Sequence, residues 1–275
     1  MGITRRKFVK DSSLGMMLIA LHPETCFVHN ANAKQDLIKS IRLLTSTPIS
    51  QMKAFYVEKL GLSLAYEKED KEITFVAGKS TITFIKIDST LGDPWYHFAF
   101  NIPENKLRKA RAWQLEKTDL IPTPKRARDP NFPDDVRHFR NWNAHSIFFW
   151  DPAGNLLEYI ARHDLKNSSS GAFTSRDILN VSEIAFVVDD QHKESEILHQ
   201  KLALDVYPKD SSFWWAMGDQ NGLLLCIPKR IWGENTDQPK RFDVFKTEAT
   251  VIGEKDEEYK FSNFPYLVNM IKNEV

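Results

Sequence analysis

Two short apolar runs flank the turn sequence Asp151-Pro152-Ala153-Gly154 and predict a β-hairpin. The runs are rich in aromatic and branched residues, which favours strands over helix. With a four-residue loop, Ile147 faces Glu158 across the hairpin, and His145 faces Ile160. His145 and Glu158 then share one face of the sheet. A carboxylate in an apolar strand needs a partner, because an unpaired buried charge is costly.

The hydrophobic pattern predicts two successive units of the order β-α-β-β-β. The first has a strand at 40–44, a helix from Ile49 to Leu60, and strands at 62–66, 73–77 and 81–87. The second has a strand at 96–102, a helix at 104–116, a long loop from Ile121 to about Val136, a short strand near 138–142 and the hairpin.

A third, weaker copy of the unit follows a linker at 166–175 that is rich in Ser, Asn and Gly. Its elements are a strand at 181–188, a helix at 191–202, and strands at 206–207, 213–217 and 223–227. Beyond Trp232 the pattern predicts one strand at 249–252 and a terminal helix from Pro265. The expected organisation is one domain of two units at 38–164, and a third unit with a C-terminal strand and helix at 177–275.

Units of this order that end in Asp-Pro-Ala-Gly-Asn-Leu-Leu-Glu resemble the vicinal oxygen chelate superfamily. That superfamily includes glyoxalase I, fosfomycin-resistance proteins, bleomycin-binding proteins and extradiol dioxygenases. The resemblance implies an α+β fold in which tandem βαβββ units pair into a cup-shaped mixed sheet, here with a third, degenerate unit. It also implies a divalent metal at the centre of the cup and a small oxygenated molecule as substrate.

In that superfamily the metal ligands come from the first and last strands of the units. His97 and Glu158 fall on these positions in the second unit, and His145 is the candidate third ligand. Such a set suits Fe, Mn, Zn or Ni, and Glu158 is the candidate catalytic residue. The first unit has Ile41 and Thr83 at the matching positions. A metal-free alternative stays open, in which His97 and Glu158 form a closed hydrogen-bonded pair.

The third unit and the strand before the hairpin supply the remaining candidates. Glu183 and Cys226 occupy the ligand positions of the third unit, but no histidine stands beside them, which favours a structural role. Arg140, Trp142 and Asn143 are predicted to bind substrate, because an arginine can hold an anion with two hydrogen bonds. The alternative is that Arg140 pairs with Asp134 or Asp135 on the surface.

Two functions from different classes fit these residues. The first is a metal-dependent enzyme, either a lyase or isomerase of the glyoxalase type or a dioxygenase of the extradiol type. The second is a metal-free protein that binds a small molecule, in the manner of bleomycin-binding proteins. A purely structural or interaction role rests on the degenerate third unit, and self-association into a homodimer belongs to the expectations.

Charge and the N-terminus bear on location and partners. The chain has 37 basic and 37 acidic side chains, so no basic field indicates nucleic acid. Arg5 and Arg6 precede a short apolar segment, and Ala31-Asn32-Ala33 resembles a cleavage site. Residues 1–33 therefore resemble a twin-arginine export signal, which predicts a periplasmic protein. The mature chain would have no membrane span and one cysteine, Cys226, and hence no internal disulfide.

Overall fold

The computed structural model describes residues 37–212, 215–232 and 239–273. The predicted export signal at 1–33 lies outside these residues, so export to the periplasm stays a prediction. No helix in the described part of the chain is both long enough and apolar enough to cross a membrane.

Strands dominate the described residues, and three helices connect them. The strands are, in chain order, β1 (Leu37–Thr45), β2 (Ser63–Lys68), β3 (Glu72–Ala77), β4 (Ser80–Lys86), β5 (His97–Ile102), β6 (Arg137–Phe139), β7 (Ala144–Trp150), β8 (Leu156–Arg162), β9 (Asn180–Val188), β10 (Ala216–Asp219), β11 (Gly222–Pro228), β12 (Ile231–Trp232), β13 (Lys240–Arg241), β14 (Thr247–Gly253), β15 (Glu257–Lys260) and β16 (Tyr266–Lys272). The helices are α1 (Ile49–Lys53), which continues as a π-helical turn over Ala54–Lys59, α2 (Leu107–Leu115) and α3 (Gln191–Leu202). Single 3₁₀ turns lie at Ser89–Leu91, Lys125–Ala127, Arg140–Trp142 and Ser175–Asp177.

Fourteen of these strands form two curled mixed sheets of seven strands each, which confirms the predicted fold of βαβββ units, and β12 and β13 pair in a separate two-stranded sheet. Sheet A has the order β15-β16-β14-β1-β4-β3-β2, and sheet B has the order β10-β11-β9-β5-β8-β7-β6. In each unit the first and last strands pair in parallel, as β5 does with β8 and β9 with β11. Two units then join through their first strands, which run antiparallel in both sheets.

The pairing of the units differs from the expected one. The first unit does not pair with the second inside residues 38–164; it pairs with the C-terminal strands, while the second unit pairs with the third. Each unit presents its first strand as an open edge, and the hydrophobic pattern within a unit does not determine which edge will satisfy those backbone groups. Tertiary packing makes that choice.

The predicted terminal helix from Pro265 is wrong, because these residues form β16. Tyr266, Val268 and Met270 are buried and alternate with less buried residues, which is the period of a strand. β16 pairs in parallel with β14, as the last strand of a unit pairs with the first. The C-terminal segment therefore corresponds to a fourth unit that lacks its helix and one strand.

The two sheets are linked at the β3–β4 turn. Gly78 has φ +59°, and a Cβ there would lie 2.0 Å from the carbonyl oxygen of Leu179. The backbone N–H of Lys79 donates to that oxygen at 2.8 Å. Ser80, which is fully buried, donates from Oγ to the carbonyl of Ile38 and accepts from the backbone N–H of Val181. Only glycine permits this close approach of sheet A to β9.

Sheet B has two buried faces with different roles. One face packs into the main core through aromatic side chains that include Phe98, Phe100, Tyr159 and Phe186. The opposite face is the inside of the cup, lined by a second apolar cluster that includes Ala99, Phe148 and Leu225. Polar side chains on this inner face are therefore held in an apolar surrounding, at the centre of the sheet.

Candidate metal centre

Three ionisable side chains meet on the inner face of sheet B. His97, Glu158 and Glu183 come from β5, β8 and β9, which are neighbours in the sheet. Nε2 of His97 lies 3.6 Å from Oε2 of Glu158 and 3.9 Å from Oε2 of Glu183. The two carboxylates are almost fully buried and the imidazole is only slightly exposed. The sheet thus places one nitrogen and two oxygens around a common point.

The hydrogen bonds of His97 determine which of its nitrogens faces that point as an acceptor. Nδ1 lies 3.0 Å from the carbonyl oxygen of Leu156. A carbonyl can only accept, so Nδ1 carries the proton and Nε2 presents its lone pair. Burial lowers the pKa of His97 to about 4, so the imidazole is neutral at pH 7. A neutral imidazole with its second nitrogen fixed in this way is the form that binds metals.

Burial raises the pKa of the Glu158 carboxyl and that of the Glu183 carboxyl above the ordinary value of a glutamate. For Glu158 the charge of Glu183 raises the pKa further. Oε1 of Glu158 has no partner in hydrogen-bonding geometry among the described residues. Oε1 of Glu183 is held by Nη2 of Arg162 at 2.5 Å, which leaves Oε2 facing the common point. Arg162 is the cation that hydrogen-bonds to one of these acids, and Arg137 acts on both of them only through its charge.

These three residues fit a divalent metal ion. At metal–ligand distances of about 2.0–2.2 Å, ligand atoms around a tetrahedral ion lie roughly 3.3–3.6 Å apart. The observed separations of 3.6 and 3.9 Å need a contraction of only a few tenths of an ångström. They are also longer than a hydrogen bond, so the closed His97–Glu158 pair is not formed here. One imidazole and two carboxylates suit Mn, Fe, Zn or Ni.

The common point opens into a cavity of about 90 Å³ with aromatic and cationic walls. The lining includes Arg137, Phe148, Trp215, Arg230, Trp232 and Phe242. A larger space of about 650 Å³ adjoins it and shares Trp215 and Arg230. Burial lowers the pKa of Arg137 and of Arg230, and no ion-pair partner within 4 Å is seen for either among the described residues. The cavity therefore offers two incompletely compensated positive charges beside the acids.

His145 does not join His97 and Glu158, because the predicted hairpin register was off by one residue. Phe148, and not Ile147, pairs with Glu158, and His145 pairs with Ala161. The loop has five residues, since Trp150 pairs with Leu156 and Asn155 belongs to the turn. Asn155 is buried, and its Oδ1 accepts from the backbone N–H of Tyr96, which fixes the longer loop. His145 consequently lies on the opposite face of sheet B.

The predicted substrate-binding residues fall in different places. Trp142 lines the cavity. The centre of the Trp142 ring lies 5.2 Å from the guanidinium of Arg162. Asn143 has φ +44° and donates from Nδ2 to Asp164 at 2.7 Å on the surface. Arg140 is exposed and does not line the cavity.

The expected surface partners of Arg140 are bound by other arginines. Asp135 pairs with Arg111, and Asp134 pairs with Arg128. Arg137, three residues before Arg140, is the arginine of this strand that lines the cavity.

Three residues of the site were not predicted as such, namely Glu183, Arg137 and Arg230. Glu183 stands on the first-strand ligand position of the third unit, which is the position of His97 in the second. This position in the sequence was the sign that Glu183 could be a metal ligand. The third unit has no histidine beside Glu183, and this favoured a structural role instead. The correction follows from unit pairing, because β9 lies beside β5 and brings Glu183 to a histidine from another unit.

The fold is similar to solved structures of a putative dioxygenase and of glyoxalase I. A putative dioxygenase from Bacillus subtilis subsp. subtilis strain 168 aligns with a TM-score of 0.52 and 14% identity, over 88% of this chain and 87% of that one. A mutant of glyoxalase I from Zea mays aligns with a TM-score of 0.50 and 11% identity, over 87% of this chain and 93% of that one. The chain therefore has the vicinal oxygen chelate fold, as predicted. No model of a known protein family matches the chain, and no curated protein matches its sequence.

Proposed function

We propose that this protein is a divalent-metal-dependent enzyme that moves a proton on a small anionic, oxygenated substrate, as a lyase or isomerase does. One observation carries the proposal: Nε2 of His97 and Oε2 of Glu158 and of Glu183 converge in a buried cavity, and among the described residues no hydrogen-bond donor lies between these three atoms. Three acceptors face one another at low energy only if a cation, or a proton taken up by an acid, lies among them. In the described part of the chain the second oxygen of Glu158 has no partner in good hydrogen-bond geometry, although the nearby Ser146 hydroxyl lowers the pKa of this carboxyl.

Bound there, a divalent metal would act as a Lewis acid toward an oxygen of the substrate. The chain's own residues supply the rest. Arg137 and Arg230 attract and orient an anionic group, and the aromatic walls exclude water from the cavity. Oε1 of Glu158 is the atom placed to accept a proton, because Oε2 faces the metal position and Oε1 has no hydrogen-bond partner in good geometry among the described residues.

The ligand set favours proton transfer over the activation of dioxygen. Non-haem iron oxygenases use two histidines and one carboxylate, whereas His97, Glu158 and Glu183 give one histidine and two carboxylates. Both a glyoxalase I and a putative dioxygenase share this fold, so the fold alone does not separate the two reactions. The donor set is what distinguishes them.

The first experiment is metal analysis of untagged protein after incubation with Mn, Fe, Zn or Ni and dialysis. We expect His97→Gln to bind one equivalent of metal less than the wild type, because glutamine removes the only nitrogen ligand of this centre. His199→Gln, which changes an exposed histidine of α3 that lines neither space, is the matched control and should bind as much as the wild type. Equal metal content in all three proteins would disprove the metal centre and favour the metal-free binding protein.

The charge of the substrate is tested with benzoate and benzamide as probes of similar shape. We expect Arg230→Met and Arg137→Met each to weaken benzoate binding by about tenfold or more, because a hydrogen bond to a charged group contributes roughly 1.5–3 kcal/mol. Benzamide binding should change little. The measurement is isothermal titration calorimetry of the metal-loaded protein. A matched loss for both probes would indicate that the arginines shape the wall and do not select an anion.

A further inference from the structure

A second group of metal-binding side chains lies on the face of sheet B that is opposite the cup. His138 on β6 and His145 on β7 are directly paired across the two strands. Asp129 comes from the loop that precedes β6. One ligand atom of each of these three residues lies within 4.8 Å of the others. The position of His145 across the sheet from Glu158 makes this cluster separate from the proposed centre in the cup.

Oδ2 of Asp129 is the atom that both histidines approach. It lies 3.1 Å from Nε2 of His145 and 3.8 Å from Nδ1 of His138. Ligand atoms of a tetrahedral zinc ion lie roughly 3.3 Å apart. The distance from Asp129 to His145 is slightly shorter than this, and the distance to His138 is slightly longer. The three side chains are half-buried or buried, which leaves a path for an ion and shields it once bound.

The neighbours of His145 hold its Nε2 toward Asp129. Nδ1 of His145 lies 2.8 Å from Nε2 of His163, and Nδ1 of His163 lies 3.5 Å from a carboxylate oxygen of Glu104. The contact between His163 and Glu104 is longer than an ordinary hydrogen bond, so it does not fix the tautomer of His145. Without metal, Nε2 of His145 donates to Oδ2 of Asp129 at 3.1 Å, and Nδ1 accepts from Nε2 of His163. A metal ion at this point would take the place of the Nε2 proton, and His145 would then donate from Nδ1 to His163.

An outer chain of this kind is typical of metal sites. A histidine that binds metal through one nitrogen usually donates from the other, which fixes its tautomer and ring orientation. Phe132 adds to this by stacking on His145 at a centroid distance of 4.4 Å.

We propose that Asp129, His138 and His145 bind a divalent transition metal ion of the zinc class, independently of the centre in the cup. Two imidazoles and one carboxylate provide three of the four ligands of a tetrahedral zinc site, and a water molecule would complete it. The rings of His138 and His145 are parallel, with their centroids 4.2 Å apart. Binding tilts them toward each other by rotation of the side chains, because strand pairing fixes their Cα positions.

Metal binding at this site would connect a loop to the edge of sheet B. Asp129 belongs to the long segment between Ile121 and Val136, whose 3₁₀ turn and irregular backbone connect α2 to β6. A metal bound to Asp129, His138 and His145 would tie this segment to the last two strands of sheet B. We expect zinc to protect the segment from proteolysis at the exposed Lys125 and Arg126, independently of any activity.

The test compares single variants of the two sites. Each untagged protein is stripped of metal with EDTA and then titrated with zinc, and the bound equivalents and the protection from trypsin are measured. The wild type should bind two equivalents. Asp129→Asn and His138→Gln should each bind one, and should lose the zinc-dependent protection from trypsin. His97→Gln should also bind one but should keep that protection. His199→Gln should match the wild type in both measurements. Circular dichroism without metal should show that every variant is folded.

The outcomes are distinct for the two sites. If Asp129→Asn and His138→Gln bind as much zinc as the wild type, the second site does not exist, whatever His97→Gln shows. If these two variants lose one equivalent while His97→Gln loses none, the second site stands and the proposed centre in the cup fails. Anomalous diffraction at the zinc edge should place the ion between Asp129 and His145, and a peak only in the cup would overturn the proposal.

Discussion

Glu158→Gln is expected to change the pH dependence of stability in opposite directions with and without metal. Burial, and then the charge of Glu183, raises the pKa of Glu158 in the folded protein above its ordinary value of 4.5. A group of this kind stabilises the folded state fully below the unfolded pKa, and the contribution is lost as pH rises toward the folded pKa. Without metal, the free energy of unfolding of the wild type should therefore fall relative to Glu158→Gln as pH rises from about 5 to 8, by at most about 1.4 kcal/mol per pH unit.

Saturating metal should reverse that slope. A metal ion binds the ionised carboxylate, so its contribution to stability grows as protons leave the site. The difference between the wild type and Glu158→Gln should then rise with pH over the same range. The measurement is urea unfolding at several pH values, in EDTA and with saturating manganese or zinc.

Glu67→Gln is the control for this experiment. Glu67 pairs with Lys53 at the surface, so its substitution should give a small difference that metal does not alter. A closed, metal-free pair of His97 and Glu158 predicts the same slope in both conditions, because nothing binds between the two side chains. An unchanged slope in saturating metal would thus contradict the proposed centre.

The order of elements could be predicted from the sequence because it depends on local patterns. Alternating apolar residues and turn residues at 151–154 are properties of one short segment, and β7 and β8 lie where these patterns predict. The face on which His145 lies could not be predicted in the same way. It depends on whether Asn155 belongs to the loop or to the strand, and a contact with Tyr96, far away in sequence, makes that choice.

The residues of the site in the cup were likewise predictable only where they depend on one unit of the chain. His97 and Glu158 stand at recognisable positions in one unit, and the structure does bring them together. Glu183 and Arg230 reach the site only because the third unit pairs with the second. The C-terminal strands similarly depend on the open edge of β1, which lies some 200 residues earlier in the chain. Contacts of this range leave no signature in the periodicity of either segment.

Arg162 is the residue whose replacement should cost the most stability. Its side chain is fully buried. Nη2 donates to Oε1 of Glu183 at 2.5 Å, and Nε donates to Oδ1 of Asn101 at 3.2 Å. It is the cation that offsets the buried charge of Glu183 when no metal is bound. Removing one partner of a buried ion pair leaves the other charge uncompensated, which typically costs about 3–5 kcal/mol.

We therefore expect Arg162→Met to lower the free energy of unfolding by about 3–5 kcal/mol at pH 8 in EDTA. Lys53→Met, which breaks the more exposed pair with Glu67, should cost less than about 1 kcal/mol and serves as the control. Urea unfolding measures both. Saturating metal should reduce the cost of Arg162→Met, because the metal ion would supply positive charge to the other oxygen of Glu183.

The double variant Arg162→Met/Glu183→Leu separates the buried charge from the lost packing. If the cost of Arg162→Met comes from the uncompensated carboxylate, removing that carboxylate should restore most of the stability, since apolar replacements of buried ion pairs are often neutral. If it comes from lost contact with Trp142, the double variant should be no more stable than the single one. The second result would mean that Glu183 takes up a proton readily without Arg162. Glu183 would then be a weak metal ligand at neutral pH, and the centre in the cup would depend on His97 and Glu158 alone.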